Sequence, residues 1–245
     1  GSAKRMALAL GVEDIEEHAR AIAKLIQTKP PKTFKDKLQL LSELIKLAGI
    51  PPKIVSEGEC QEVIERDPDL GILPVLTCWP GDAGPFITLP MVFSKDPNSG
   101  TRNVGLYRMQ IYDRRTTGMH WHLHKVGARH FQQQKEKSGR LELAVCLGGE
   151  PAMIYAATAP LPPQIDEILF TGFLRKKGVE LVKAITVDIE VPANSDIVIE
   201  GYVEPTEPLR REGPFGDHTG FYSLADDYPV FHVTCITHKK NPIYP

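Results

Sequence analysis

From about residue 60 onward, proline and glycine cut the chain into short apolar runs, and this punctuation limits its fold more than any other feature. The full chain carries 20 Gly and 21 Pro in 245 residues. Neither residue tolerates the interior of a long helix, so the runs between them read as strands. They are residues 72–78, 86–94, 104–112, 119–124, 141–147, 152–157, 181–191, 196–202 and 230–237. Many short strands at close intervals indicate a β-barrel or a sandwich. Pro205 to Gly216 is too rich in Pro and Gly for an element and reads as a loop.

The first fifth of the chain has a different period. Val12, Ile15, Ala19, Ile22, Ala23 and Ile26 recur at helical spacing, which predicts a helix over 12–28 closed by Pro30 and Pro31. A second helix is expected after the N-cap Thr33, with Leu38, Leu41, Leu44, Ile45 and Ala48 as its buried stripe and Gly49 at its end. Helices first and strands after give an α+β chain. Residues 1–50 form the expected helical segment and 51–245 the expected β domain.

Bulk composition excludes several classes of protein. Net charge is −2, and Lys and Arg are scattered, so no basic stripe marks a nucleic-acid partner. No apolar run approaches the roughly 18 residues a membrane helix needs, and no secretory segment is visible. Cys60, Cys78, Cys146 and Cys235 are widely spaced without a CxxC pair, which predicts reduced thiols and a cytoplasmic setting. Gly1-Ser2 resembles a cleavage scar and the chain stops abruptly after Asn241, so an excised piece of a longer protein is expected.

Four constellations could carry chemistry. In MHWHLH, His120, His122 and His124 alternate, so a strand would set all three imidazoles on one face. That face either binds something or is simply polar and solvated, and no Cys or second His pair completes a structural zinc site. Asn103 and Arg108 share the next run, NVGLYR, at odd separation. Strict alternation puts them on opposite faces unless a bulge or a strand mouth intervenes. Glu212 and Asp217 flank GPFG, a loop able to present two carboxylates together for acid–base work, although a solvated acidic turn has the same composition. Asp166 and Glu167 follow a proline-rich stretch and read alone as loop charges.

In their order along the chain, TRNVGLYRMQIYD, MHWHLHKVGARHF, PLPPQIDE, GVELVKAITVDIEVPANSDIVIEGYVEP and EGPFGDHTGFYS resemble the UbiD decarboxylase family. The similarity runs from about Arg5 to the last residue, and family members are much longer. The resemblance implies a split β-barrel of the FMN-binding type carrying prenylated FMN, its phosphate tied to Mn²⁺. It implies Asn103, His124 and Glu167 as metal ligands, a mixed oxygen and imidazole set that suits Mn²⁺. It places Leu106, Tyr107, Arg108, His120, Trp121, His122, Lys125 and Val126 along the cofactor, and a K⁺ site, where the family has one, on backbone near Ala156 to Ala159. Where this chain has His120 the family pattern often has Arg, and many relatives have Glu in place of Asp217.

The same resemblance implies a catalytic trio. Arg108 would hold the substrate carboxylate, Asp217 would deliver a proton after CO₂ leaves, and Glu212 would tune the pair. The expected reaction is non-oxidative, reversible decarboxylation of an aromatic or α,β-unsaturated acid, with a polyprenyl-4-hydroxybenzoate as the substrate class. A flavin prenyltransferase would supply the cofactor, the substrate would be lipophilic and membrane-associated, and the full-length protein would be a homo-oligomer. Two other readings stand beside it: a flavin-binding module without turnover, and a flavin oxidoreductase on a similar barrel. The acid pair argues against the last, because hydride transfer needs no such pair.

Overall fold

The computed structural model describes residues 1–27, 50–122, 125–161 and 165–245. Along the chain come α1 (Ala3–Ala9), α2 (Glu16–Gln27), β1 (Lys53–Val55), β2 (Val63–Glu65), β3 (Phe86–Ile87), β4 (Met91–Lys95), β5 (Arg102–Leu106), β6 (Met109–Gln110) and β7 (Thr116–Gly118). Then follow α3 (Val126–Lys137), β8 (Leu141–Leu147), α4 (Pro151–Ala156), α5 (Glu167–Arg175), β9 (Glu180–Lys183), β10 (Glu190–Pro192) and β11 (Ile197–Val203). The last strands are β12 (Arg210–Glu212), β13 (Phe215–Gly216), β14 (Tyr222–Ser223), β15 (Asp226–Tyr228) and β16 (Val230–His238). These elements divide into two compact units. A helical unit comprises residues 1–53 and 150–180, and a sheet unit comprises 54–149 and 181–245.

The sheet unit is built on one seven-stranded sheet of order β2-β16-β11-β8-β4-β5, with β7 also paired to β16. Its pairings are antiparallel. The middle strands β4, β8 and β11 are buried almost throughout, which is why their sequences are mostly apolar and do not alternate. Among the described strands the sheet stays open: β2 and β5 are its edges, and no pairing closes it into a barrel. Helix α3 packs on β4, β5 and β8, so Ala128 and Phe131 join Val92, Leu143 and Val145 in the main core.

A bulge between Glu200 and Gly201 shifts the β11–β16 register. A Cβ at Gly201 would lie 2.0 Å from the His232 carbonyl oxygen, so no larger residue fits there. The fully buried Glu200 carboxylate accepts from the Ile185 N–H at 2.8 Å, the Thr186 N–H at 2.5 Å and the Thr186 hydroxyl at 2.8 Å. That saturation keeps a buried carboxylate tolerable and ties the turn after β9 to the sheet.

In the helical unit, Leu10, Ala152, Ala156, Phe170 and Leu174 form the core. Asp166 caps α5 by accepting from the Ile168 N–H at 2.7 Å, and Gly172 lets the helix meet the Ile50 carbonyl, which a Cβ would approach to 2.5 Å.

The α+β class is observed, and α2 lies within the predicted 12–28 helix. The second predicted helix lies outside the described residues. Several strand expectations need correction. Residues 152–156 belong to helix α4 and Ala157 caps it; Pro151 stands at its first position, where proline has no N–H to lose. Residues 72–78 contribute only an isolated bridge between Leu76 and Phe86. The 86–94 and 104–112 runs each break in two, at Pro90 and at Tyr107-Arg108. The run 181–191 likewise splits into β9 and β10, and 205–216 contains β12 and β13. Residues 119–122 are irregular backbone, not strand. Helices α1, α3 and α5 were not predicted; α3, VGARHFQQQKEK, carries too few apolar residues to show a helical period.

Candidate active site

Three pieces of chain meet around Arg108 in the sheet unit. It sits just after β5, where the strand has ended, so strand parity no longer fixes its direction. Its Nε donates to Glu212 Oε1 at 3.0 Å and its Nη2 to Ser223 Oγ at 2.9 Å. Its guanidinium lies 4.6 Å from the centre of the Phe215 ring and 5.9 Å from that of Phe86. With only 11% of the Arg108 side chain exposed and none of Glu212, the pair is held out of water.

Glu212 closes β12 and is shared. Its second oxygen, Oε2, is 2.6 Å from His120 Nδ1, and His120 Nε2 is 3.0 Å from His122 Nε2. The two imidazoles meet edge to face, and His120 lies over Tyr228 at 4.4 Å between ring centres. Burial pushes the Glu212 carboxyl upward, but hydrogen bonds and charge from His120 and Arg108 outweigh it, so its pKa falls below the ordinary 4.5. Burial, then repulsion from His120, Arg108 and Lys125, lowers the His122 pKa.

The segment carrying Asp217 is a hairpin. Phe215 pairs with Ser223 and Gly216 with Tyr222, and the turn closes through Asp217 N–H to the Phe221 carbonyl at 3.1 Å. Gly213, at φ 89°, precedes a cis bond to Pro214, and its N–H donates to Gln110 Oε1 at 2.8 Å. Asp82 grips the hairpin by accepting from the Gly216 N–H at 2.7 Å and from Trp79 N–H at 2.9 Å. A Cβ on Gly216 would fall 2.4 Å from Trp79 Cδ1, so this position requires glycine. Asp217 contacts His218 Nδ1 at 3.1 Å and stays partly exposed. Burial raises its pKa, but hydrogen bonds from His218 and the Arg108 charge lower it more, leaving the carboxyl below its ordinary 3.8.

Of the residues singled out from sequence, Arg108, Glu212, His120 and His122 form one connected network, and Asp217 lies on the hairpin whose Ser223 holds Arg108. Tyr107 and Trp121 are buried and meet edge to face at 6.4 Å. Leu106 is half-buried at the end of β5, and Lys125 and Val126 stand at the start of α3. Asn103 is buried on β5 opposite Ser94, and its Nδ2 has no partner among the described residues. Glu167 opens α5 in the helical unit. His124 lies outside the described residues. Among those described, no trio of His, Cys, Asp and Glu forms a metal site.

A cavity of 370 Å³ opens beside the network, bounded by Trp121, His122, Phe131, Leu209, Tyr228 and Pro229. Two of its walls, His122 and Tyr228, touch His120, which touches Glu212. Sequence reasoning missed Phe86, Gln110, Asp82, Ser223 and Tyr228. Gln110 and Ser223 lie within the quoted stretches TRNVGLYRMQIYD and EGPFGDHTGFYS but were not singled out there, and the fold brings all five to the site.

The chain belongs to the UbiD family: the family profile described as 3-octaprenyl-4-hydroxybenzoate carboxy-lyase Rift-related domain matches residues 53–245. It is 51% identical over 245 residues to an uncharacterized protein of Aquifex aeolicus, covering 100% of this chain and 50% of that one. It is similar in structure to an evolved dimeric form of the UbiD-class enzyme HmfF from Pelotomaculum thermopropionicum in complex with prFMN. That likeness has a TM-score of 0.84 at 32% identity and covers 100% of this chain and 53% of HmfF. A closed form of vanillic acid decarboxylase from Sedimentibacter hydroxybenzoicus gives a TM-score of 0.82 at 28% identity, covering 100% and 50%. The chain thus spans about half the length of the curated relatives it matches. Among the described residues, no helix is long and apolar enough to cross a membrane.

Proposed function

We propose that this chain is the cofactor-gripping part of a decarboxylase that removes CO₂, reversibly and without net oxidation, from an aromatic or α,β-unsaturated acid. A polyprenyl-4-hydroxybenzoate-type acid is the substrate class, prenylated FMN the cofactor and Mn²⁺ the metal. The observation that carries this reading is the Arg108 site. A desolvated guanidinium is fixed by Glu212 and Ser223 beside the contacting rings of Phe86 and Phe215, next to the hairpin that also carries an acid. Such a guanidinium recognises a planar carboxylate, and the neighbouring rings suit an aromatic body.

Fixing Nε and Nη2 fixes the guanidinium plane, so an incoming carboxylate meets a donor of set direction. Asp217 is ionised in the resting protein. The His218 contacts lower the Asp217 pKa most; a substrate carboxylate seated on Arg108 would offset the smaller Arg108 contribution and add repulsion of its own. Both effects favour proton uptake by Asp217 through its exposed side, ready for delivery to the carbon that loses CO₂. Glu212 keeps Arg108 in place throughout.

The described residues fit a flavin. Trp121 Nε1 is buried without a described partner, Tyr107 and Trp121 give an aromatic wall, and α3 begins with no side-chain cap. Its first amides therefore suit a phosphate. When bound, prenylated FMN supplies the electron sink that an aryl or vinyl carbanion lacks. The buried amide of Asn103 suits a hard cation, and Asn103, His124 and Glu167 are the proposed metal set, with K⁺ on backbone near Ala156 to Ala159. The sheet unit is read as the split barrel of FMN-binding type within a domain of 51–245. The full-length protein is read as a cytoplasmic homo-oligomer supplied by a flavin prenyltransferase and meeting its lipophilic substrate at a membrane surface.

The test is to prepare the full-length protein in a host that makes prenylated FMN, then follow CO₂ release from a panel of aromatic acids. Release by the wild type, abolished in Asp217→Asn with flavin still bound, is the expected result. Flavin bound with no release from any acid would overturn the reading in favour of a binding module.

A further inference from the structure

Arg108 and His120 hold different oxygens of Glu212, Oε1 and Oε2. His120 makes the shorter of the two contacts to Glu212, 2.6 Å against 3.0 Å. We propose that His120 is a positioning residue, whose Nδ1–H clamps the second oxygen of Glu212 and so sets the plane in which Arg108 is presented to a substrate carboxylate. The inference rests on the reading of Arg108 as the carboxylate anchor.

A carboxylate held by one oxygen can still turn about its last carbon–carbon bond, and a guanidinium bonded to it turns with it. Two donors on two oxygens remove that freedom. Here one is the Arg108 Nε–H on Oε1 and the other the His120 Nδ1–H on Oε2. An ionised carboxylate only accepts, so Nδ1 of His120 carries the hydrogen in this contact. Its Nε2 lies 3.0 Å from His122 Nε2, a second hydrogen bond that restrains the ring.

The clamp is itself braced. His120 lies tilted over Tyr228 at 4.4 Å, and His122 meets it edge-on at 4.5 Å. Just before it, the Met119 N–H is tied to the Pro229 carbonyl at 2.9 Å. Glycine at 118 makes the room: a Cβ there would come within 3.2 Å of Glu212 Cγ and 2.7 Å of the Tyr112 hydroxyl. Each neighbour of His120 thus restricts where its Nδ1 can point.

Side-chain geometry supplies a discriminating set of variants. His120→Asn keeps an N–H donor where Nδ1 lies. His120→Gln moves the donor to where Nε2 lies, and His120→Leu fills the space with no donor. The full-length flavin-loaded protein is titrated with benzoate and with benzamide, which has the same ring and no charge. Wild type must prefer benzoate; equal binding of the two would refute Arg108 as the anchor and leave His120 no role to position. Given that preference, Leu and Gln should weaken benzoate by about tenfold or more, the scale of one charged hydrogen bond, and leave benzamide within about twofold. Asn should bind both as wild type does. The proposal is overturned if Leu and Gln keep wild-type benzoate affinity, if they lose both ligands equally, or if Asn fails as they do. Should the Leu variant not fold, the Asn and Gln pair decides alone.

Discussion

Replacing Glu212 with glutamine keeps the shape of the side chain and removes its charge, and the consequences can be worked from the geometry. None of the Glu212 side chain and only 11% of Arg108 is exposed, so the guanidinium loses its counter-charge where water cannot replace it. Removing one partner of a buried pair costs about 3–5 kcal/mol. The lower end applies here, because the glutamine oxygen and Ser223 can still accept from Arg108. The amide nitrogen must then face the His120 N–H, donor against donor, unless both imidazoles exchange tautomers. About 3 kcal/mol, at about 2–4 °C per kcal/mol for a chain of this size, lowers Tm by about 6–12 °C. The sign with pH follows from the Glu212 pKa, which folding lowers below 4.5. Its stabilisation is therefore complete above about pH 4.5 and is lost as pH falls through the folded value. Calorimetric Tm for wild type and Glu212→Gln should differ by a constant amount from pH 7 to about 5, and the gap should shrink below 4.5. A gap under about 3 °C at pH 7, or one that widens on acidification, would refute a desolvated Arg108–Glu212 pair.

Two further outcomes can be measured on the same samples. Burial, opposed by Asp96 and aided by Arg129, pulls His130 from 6.5 down to about 4. The unfolded chain thus takes up that proton first, and stability present above pH 6.5 is lost as pH falls toward 4. A gap of about 2.5 at about 1.4 kcal/mol each is on the order of 3 kcal/mol, and His130→Asn should flatten that limb of the Tm–pH curve. Gly127→Ala would put a Cβ 2.4 Å from Trp121 Nε1. Overpacking there should cost about 1–3 kcal/mol and loosen flavin binding in a fluorescence titration, whereas Gly100→Ala, with no atom near its Cβ, should leave flavin binding unchanged.

What could be read from sequence follows what is local. The strand over residues 141–147 was legible because both its faces are buried and both its ends are marked by turns. Glu212 and Asp217 were expected on a loop, but Glu212 closes β12 and Asp217 follows β13, because Gly213 and Pro214 only separate two short strands. The parity of Asn103 and Arg108 misled only in assuming that the strand continued. It stops at Leu106, and Arg108 is aimed by Glu212 and Ser223, more than a hundred residues away. His120 and His122 do meet, yet on irregular backbone, so proximity came from Glu212 and Tyr228 and not from a strand period. Asp166 was passed over as a loop charge although an acid before ILF is a helix-start signal, and it caps α5. Ser223, Asp82 and Gln110 are silent in sequence because each acts through a contact that only the folded hairpin creates.

The central claim is that one site in the sheet unit receives an acid at Arg108 beside a flavin. A crystal structure of the full-length protein with prenylated FMN and a bound aromatic acid tests it directly. The account predicts the carboxylate of the acid within about 3 Å of the Arg108 guanidinium, the usual length of a charged hydrogen bond, with Asp217 facing the carbon that bears it and the flavin against Trp121. An acid bound away from Arg108, or a flavin on another face of the sheet, would contradict it.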